Sequence, residues 1–165
     1  MIEKNIPLLA NLAYVAYNRG LPDDPIHDFV PIQNSDGTWT THCNQAMQYI
    51  LAGMGYDEMD GMDADEMVTF MSDPKNGWIE PAGDVVAQAH ANDGVIVLSG
   101  WSNVAGHGHV NLILPGILEQ SGTLGRKVPK VCNIGKDVFF GKRISYAYTM
   151  QEPFKYFALG LMVGQ

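Results

Sequence analysis

Apolar residues recur at helical spacing along the first part of the chain and then begin to alternate. Ile6, Leu9, Leu12, Val15 and Ala16 predict a helix within 6–17, closed by Gly20. Residues 21–41 are rich in Pro, Asp, Asn and Gly and predict a long loop. Cys43, Met47, Ile50, Leu51 and Met54 then form one face of a helix that Gly53 and Gly55 bring to an end. Asp63 and Glu66 stand at capping-box spacing, and the helix they open carries Met67, Phe70 and Met71 up to Pro74. "PAGDVVAQAHANDG" (81–94) predicts a further helix with Asn92 and Gly94 as stop signals.

After Gly94 the period shortens to two. "VIVLSG" (95–100), "HVNLILPG" (109–116), "KVCNIG" (130–135) and "RISYAYTM" (143–150) predict strands, and "PFKYFALGL" (153–161) fits a fifth strand or a closing helix. Helices first and strands after, with short turns between strands, predict an α+β fold in which an antiparallel sheet packs against the early helices. No internal repeat or linker divides the chain, and 165 residues suit a single domain over 1–165.

Composition narrows the partners. A hydrophobic content of 46% with 17% charged residues is that of an ordinary globular protein. The net charge of −8 argues against nucleic acid and against an anionic membrane surface, both of which call for a basic face. No apolar run approaches the roughly 20 residues of a membrane span. The opening "MIEKNIPLLANLAYVAYNRG" is interrupted by Asn11 and Asn18 and lacks a small-residue cleavage pattern. It reads as an amphipathic helix and not as a signal peptide, so a role outside the cytoplasm would require separate delivery. The acidic run "YDEMDGMDADEM" (56–67) lacks the spacing of an EF-hand, with Gly61 out of place, and reads as a solvated loop and helix cap. The methionines around it read as core and loop filler. Trp78 and Trp101 stand in predicted loops, available either to wall a groove or to pack at the core edge.

Two cysteines do not make a disulfide framework, although one Cys43–Cys132 bridge is compatible with the sequence. Cys43 falls at a predicted helix start, where the helix dipole and free N–H groups favour a thiolate. The alternative there is a small buried hydrophobe. A nucleophilic cysteine needs a base and a group to orient it. His109, at the first position of an apolar strand, is the candidate base, with Asn111 and Ile113 on its face and Val110, Leu112 and Leu114 on the other. "HGH" is otherwise a polar turn, or His107 and His109 could join His90 or His42 around zinc, at a spacing that matches no standard motif. The orienting residue is expected on the following strand, where Asn133 and Cys132 point to opposite faces. Asn133 is preferred, because an amide can fix an imidazole tautomer, and Cys132 is assigned to packing. The strand register decides between them.

This order of residues, in "HCNQAMQYIL", "DADEMVTFM" with "GWIE", "AQAHANDGVIVLSG" and "GHGHVNLILPG", resembles the NlpC/P60 group of papain-like cysteine peptidases over roughly residues 40–148. More narrowly it resembles peptidoglycan amidases injected through type VI secretion and related phage lytic enzymes. The resemblance implies an antiparallel sheet packed on N-terminal helices, with Cys43 as nucleophile, His109 as general base and Asn133 as orienting residue. It implies cysteine amidase or endopeptidase activity on peptidoglycan stem peptides through an acyl-enzyme, without cofactor or metal. It also implies delivery to the periplasm or cell wall by a secretion system or phage, and a possible immunity protein as partner. Ala46 and Met47 stand where the group commonly has an aromatic after its nucleophile. A binding module on the same fold, or a zinc hydrolase built on "HGH", are the alternatives.

Overall fold

The computed structural model describes Phe29 and residues 31–160. The helix expected within 6–17 lies outside the described residues, as does the opening segment read against a signal peptide. What is described is a mixed α+β arrangement. Three helices, α1 (Cys43–Gly53), α2 (Ala64–Ser72) and α3 (Asp84–Asn92), precede most of the strands. The strands are β1 (Ile32–Gln33), β2 (Trp39–Thr40), β3 (Trp78–Ile79), β4 (Val97–Trp101), β5 (His109–Ile113), β6 (Glu119–Ser121), β7 (Arg126–Val128), β8 (Lys130–Ile134), β9 (Val138–Arg143) and β10 (Lys155–Leu159).

Six of them form one sheet in the order β3-β10-β4-β5-β8-β9, with every pairing antiparallel. β6 and β7 make a separate hairpin inserted between β5 and β8. The segment 153–161 is resolved in favour of a strand, because β10 lies inside the sheet between β3 and β4.

Period-two alternation divides the sheet between two cores. Leu98, Val110, Leu112, Cys132, Ile134 and Phe157 join Ala46, Met47, Ile50, Leu51, Met67 and Met71 of α1 and α2. Val97, Ile113, Val131 and Ala158 join Ala87 and Ala91 of α3. Helices therefore cover both faces, and both sides of β5 are buried. α1 packs against β5 and β8, and α2 against β3, β4 and β5. Met47, Ile50 and Leu51 are each at most 1% exposed. Burying a side chain of that size stabilises by about 1.5–3 kcal/mol, so α1 is held firmly against the sheet.

Asp63 caps α2 in a complete capping box with Glu66, as its spacing predicts. The acidic run before it forms turns, with Met59 buried among them. Three expectations are corrected. Residues 32–40, within the predicted loop, form the β1–β2 hairpin, turning at Gly37 with φ of 83°. Its strands are too short to leave a periodic signal. Residues 143–150 are not a strand. Ile144–Tyr146 is a 3-10 turn, with the N–H groups of Ala147 and Tyr148 both donating to the Ile144 carbonyl. Ile144 and Tyr148 are buried whereas Tyr146 between them is 56% exposed, so the spacing of four governs. The strand lies just before, as β9. Trp78 and Trp101 stand in strands and not in loops: Trp101 closes β4, while Trp78 opens β3, is 1% exposed and donates its indole N–H to Tyr56 Oη at 2.8 Å, so of its two readings packing holds.

Candidate active site

His42, the N-cap of α1, makes no side-chain capping bond. The first-turn N–H groups and the helix dipole therefore act on whatever lies at Cys43. Cys43 is 3% exposed and lies in the floor of a groove of about 380 Å³. The β1–β2 hairpin contributes Asn34, Trp39 and Thr40 to its lining, α2 contributes Ala64 and Asp65, and the loop before β5 contributes His107 and Gly108.

His109 opens β5 and reaches both other residues singled out in the sequence. Its ring lies close enough to the Cys43 sulfur for each group to shift the other's charge, and its Nε2 lies 2.6 Å from Asn133 Oδ1. With Nε2 committed to Asn133, Nδ1 is the nitrogen that faces the thiol. Asn133 in turn donates Nδ2–H to the Asp137 carbonyl at 2.6 Å. That bond fixes the amide with its oxygen toward the ring, so Nε2 carries a proton and Nδ1 is free to exchange one with sulfur. Asn133 is 2% exposed. Gly135 lies under the ring: a Cβ there would stand 2.8 Å from His109 Cε1.

The charges follow from these contacts. Burial alone would raise the Cys43 thiol. Hydrogen bonding and charge from His109, with the nearby backbone N–H groups of Val110 and Asn44, outweigh it and hold the pKa below the ordinary 9.0. For His109, burial favours the neutral ring, but the hydrogen bond and charge of Cys43, the bond to Asn133 and the charge of Glu152 raise its pKa above 6.5. Both shifts favour the charged forms, thiolate on Cys43 and imidazolium on His109.

Cys132 takes no part. It pairs with Leu112 in the sheet register, is fully buried on the α1 side, and burial pushes its thiol up to about 12. No disulfide joins Cys43 and Cys132, so the bridge compatible with the sequence does not form. The histidines of the zinc alternative do not converge: among the described residues no three His, Cys, Asp or Glu side chains come together to hold a metal. His42 Nδ1 lies 2.8 Å from Gln45 Oε1, and His107 is exposed in the loop.

Two supports escaped the sequence reading. Tyr148, 2% exposed, donates its O–H to the His109 carbonyl at 3.2 Å and sets its ring edge-on to the imidazole at 5.3 Å. Burial keeps its phenol protonated. Its place in a segment read as a strand hid this role. Asp65, read as part of an acidic cap, accepts from Ser102 Oγ at 2.7 Å, Asn103 N at 2.6 Å and Gly108 N at 3.1 Å. Burial opposes its charge, but those donors and the nearby His107 hold the carboxyl below its usual range. It anchors the loop that delivers His109.

A buried thiol with a lowered pKa, a proton carrier on its sulfur and an amide orienting that carrier can perform nucleophilic attack and acyl transfer. Neither the models of known protein families nor the curated proteins gave a match to the chain.

Proposed function

We propose that the protein is a papain-like cysteine amidase of NlpC/P60 type that hydrolyses amide bonds in peptidoglycan stem peptides. The observation that carries this reading is the series Cys43–His109–Asn133, thiol against imidazole and imidazole hydrogen-bonded to amide, set beside an open groove. In the proposed reaction the Cys43 thiolate attacks the amide carbonyl. The oxyanion that develops would lie against the Cys43 backbone N–H at the uncapped start of α1. The His109 imidazolium protonates the leaving amine and an acyl-enzyme forms. His109 then takes a proton from water, which attacks the thioester, and the thiol is released.

The peptidoglycan assignment rests on the sequence resemblance, and with it delivery to the cell wall by a secretion system or phage and an immunity partner. Among the described residues no helix is long and apolar enough to cross a membrane. The test is incubation of purified peptidoglycan fragments with wild type and Cys43→Ala, with mass analysis of the products and a parallel sample in chelator. New free amines with wild type only, unaffected by chelator, are expected. Activity retained by Cys43→Ala would end the reading, and activity lost only with chelator would move the chemistry to a metal.

A further inference from the structure

Lys136 occupies the turn between β8 and β9, exposed, three residues beyond Asn133. Both its neighbours serve His109: Gly135 leaves space for the ring and the Asp137 carbonyl holds the Asn133 amide. Among the described residues Lys136 has no carboxylate partner, whereas Arg126, Lys130 and Lys155 are each paired with one. Its ammonium lies 5.7 Å from the centroid of the Trp39 ring, within cation–π range. Trp39 belongs to the β1–β2 hairpin and lines the groove together with Cys43. Lys136 is not itself a lining residue, but it brings a cation from the His109 side against an aromatic ring that lines the groove. The two carboxylates in that lining have other employment: Asp63 caps α2 and Asp65 anchors the loop.

We propose that Lys136 and Trp39 form a carboxylate subsite, which selects peptides bearing a free carboxylate on a residue that flanks the scissile amide. The proposal rests on the amidase reading and names the substrate feature it favours. An ammonium has three donors, and one resting on an indole face keeps them available to a ligand. The indole offers apolar surface for the methylene or methyl groups beside that carboxylate. With a net charge of −8 the protein as a whole repels an anionic peptide. A local cation with no carboxylate partner among the described residues supplies the attraction that the global field does not. Lys136 touches neither the thiol nor the imidazole in this scheme, so its effect is on binding and choice of substrate.

The test uses two synthetic stem tetrapeptides, identical except that the glutamyl α-carboxylate is free in one and a primary amide in the other. Binding to Cys43→Ala is measured by calorimetry, and hydrolysis is measured with wild type, Lys136→Gln and Trp39→Phe. The free carboxylate is expected to be preferred about fivefold to tenfold, through KM and not kcat, with the preference shrinking as salt rises. Lys136→Gln is expected to cut kcat/KM for the carboxylate peptide about fivefold more than for the amide peptide. Equal binding of the two peptides by Cys43→Ala, no binding of either, or an equal loss on both in Lys136→Gln would overturn the subsite. Selective binding without hydrolysis by wild type would retain the subsite and remove the amidase reading; hydrolysis without selectivity would do the reverse.

Discussion

The Nε2 of His109 and the Oδ1 of Asn133 lie 2.6 Å apart, one strand from each other, while Cys132 beside Asn133 points into the opposite core. The two residues therefore make opposite predictions. Asn133→Ala frees the ring and its tautomer, and kcat is expected to fall about a hundredfold, because small misplacement of a proton carrier is costly. Cys132→Ala is expected to cost about 1 kcal/mol of stability, as an ordinary core truncation, with kcat unchanged. Thermal melts and steady-state rates on both variants check this; a fall in kcat with Cys132→Ala at unchanged folding would contradict it.

Gly135 supports the ring by having no side chain. A Cβ would lie 2.8 Å from His109 Cε1, closer than real contacts allow. The residue is not among the glycines with positive φ, so alanine meets no backbone strain. Gly135→Ala is therefore expected to keep its melting temperature within a few degrees and to lose about a hundredfold in kcat. Nuclear magnetic resonance of the His109 ring provides the second readout, since its signal should move while the core methyl signals stay.

Asp65 joins the start of α2 to Ser102, Asn103 and Gly108. Asp65→Asn withdraws the charge from three donors. The expected cost is about 1 kcal/mol, since solvent screens a half-buried carboxylate. The folded pKa is lowered from 3.8, so the charged anchor's stabilisation is complete above that value and is lost as pH falls through the lower folded one. Urea titrations of wild type and Asp65→Asn should therefore converge at strongly acid pH and separate above it. A constant difference at every pH would contradict the assignment.

The parts of this site legible in the sequence are those that carry their own local signal. Cys43 begins a 3.6-residue pattern, and His109 begins a period-two pattern, so the boundaries of α1 and β5 located both. Asn133 was separable from Cys132 only through register, which the β5–β8 pairing of Leu112 with Cys132 supplies. Tyr148 and Gly135 meet His109, and Lys136 meets Trp39, through contacts between segments distant in the chain. Their value comes from what is brought opposite them, which periodicity does not encode. The alternation of Ile144, Tyr146 and Tyr148 even pointed the wrong way, because a 3-10 turn and a strand can share such a stretch. Helices on both faces of the sheet were likewise hidden, since Asn111 and Ser99 give a buried face polar members.

The lowered pKa of Cys43 and the raised pKa of His109 predict where reactivity appears on the pH axis. The thiolate forms as pH rises through the Cys43 value, which lies below 9.0, and the imidazolium is lost as pH rises through the His109 value, which lies above 6.5. A kcat/KM profile is therefore expected to be bell-shaped, its acid limb set by the thiol and its alkaline limb by loss of the proton needed by the leaving amine. Alkylation of Cys43 by iodoacetamide needs only the thiolate, so its rate should follow the acid limb and show no alkaline fall. His109→Ala removes the hydrogen bonding and charge that, together with the backbone N–H groups, outweigh burial, so the thiol's pKa should rise, in the direction of Cys132 at about 12. Coincident alkylation profiles for wild type and His109→Ala would mean that His109 does not set the thiol's charge, and the coupled pair would fail as the basis of the site.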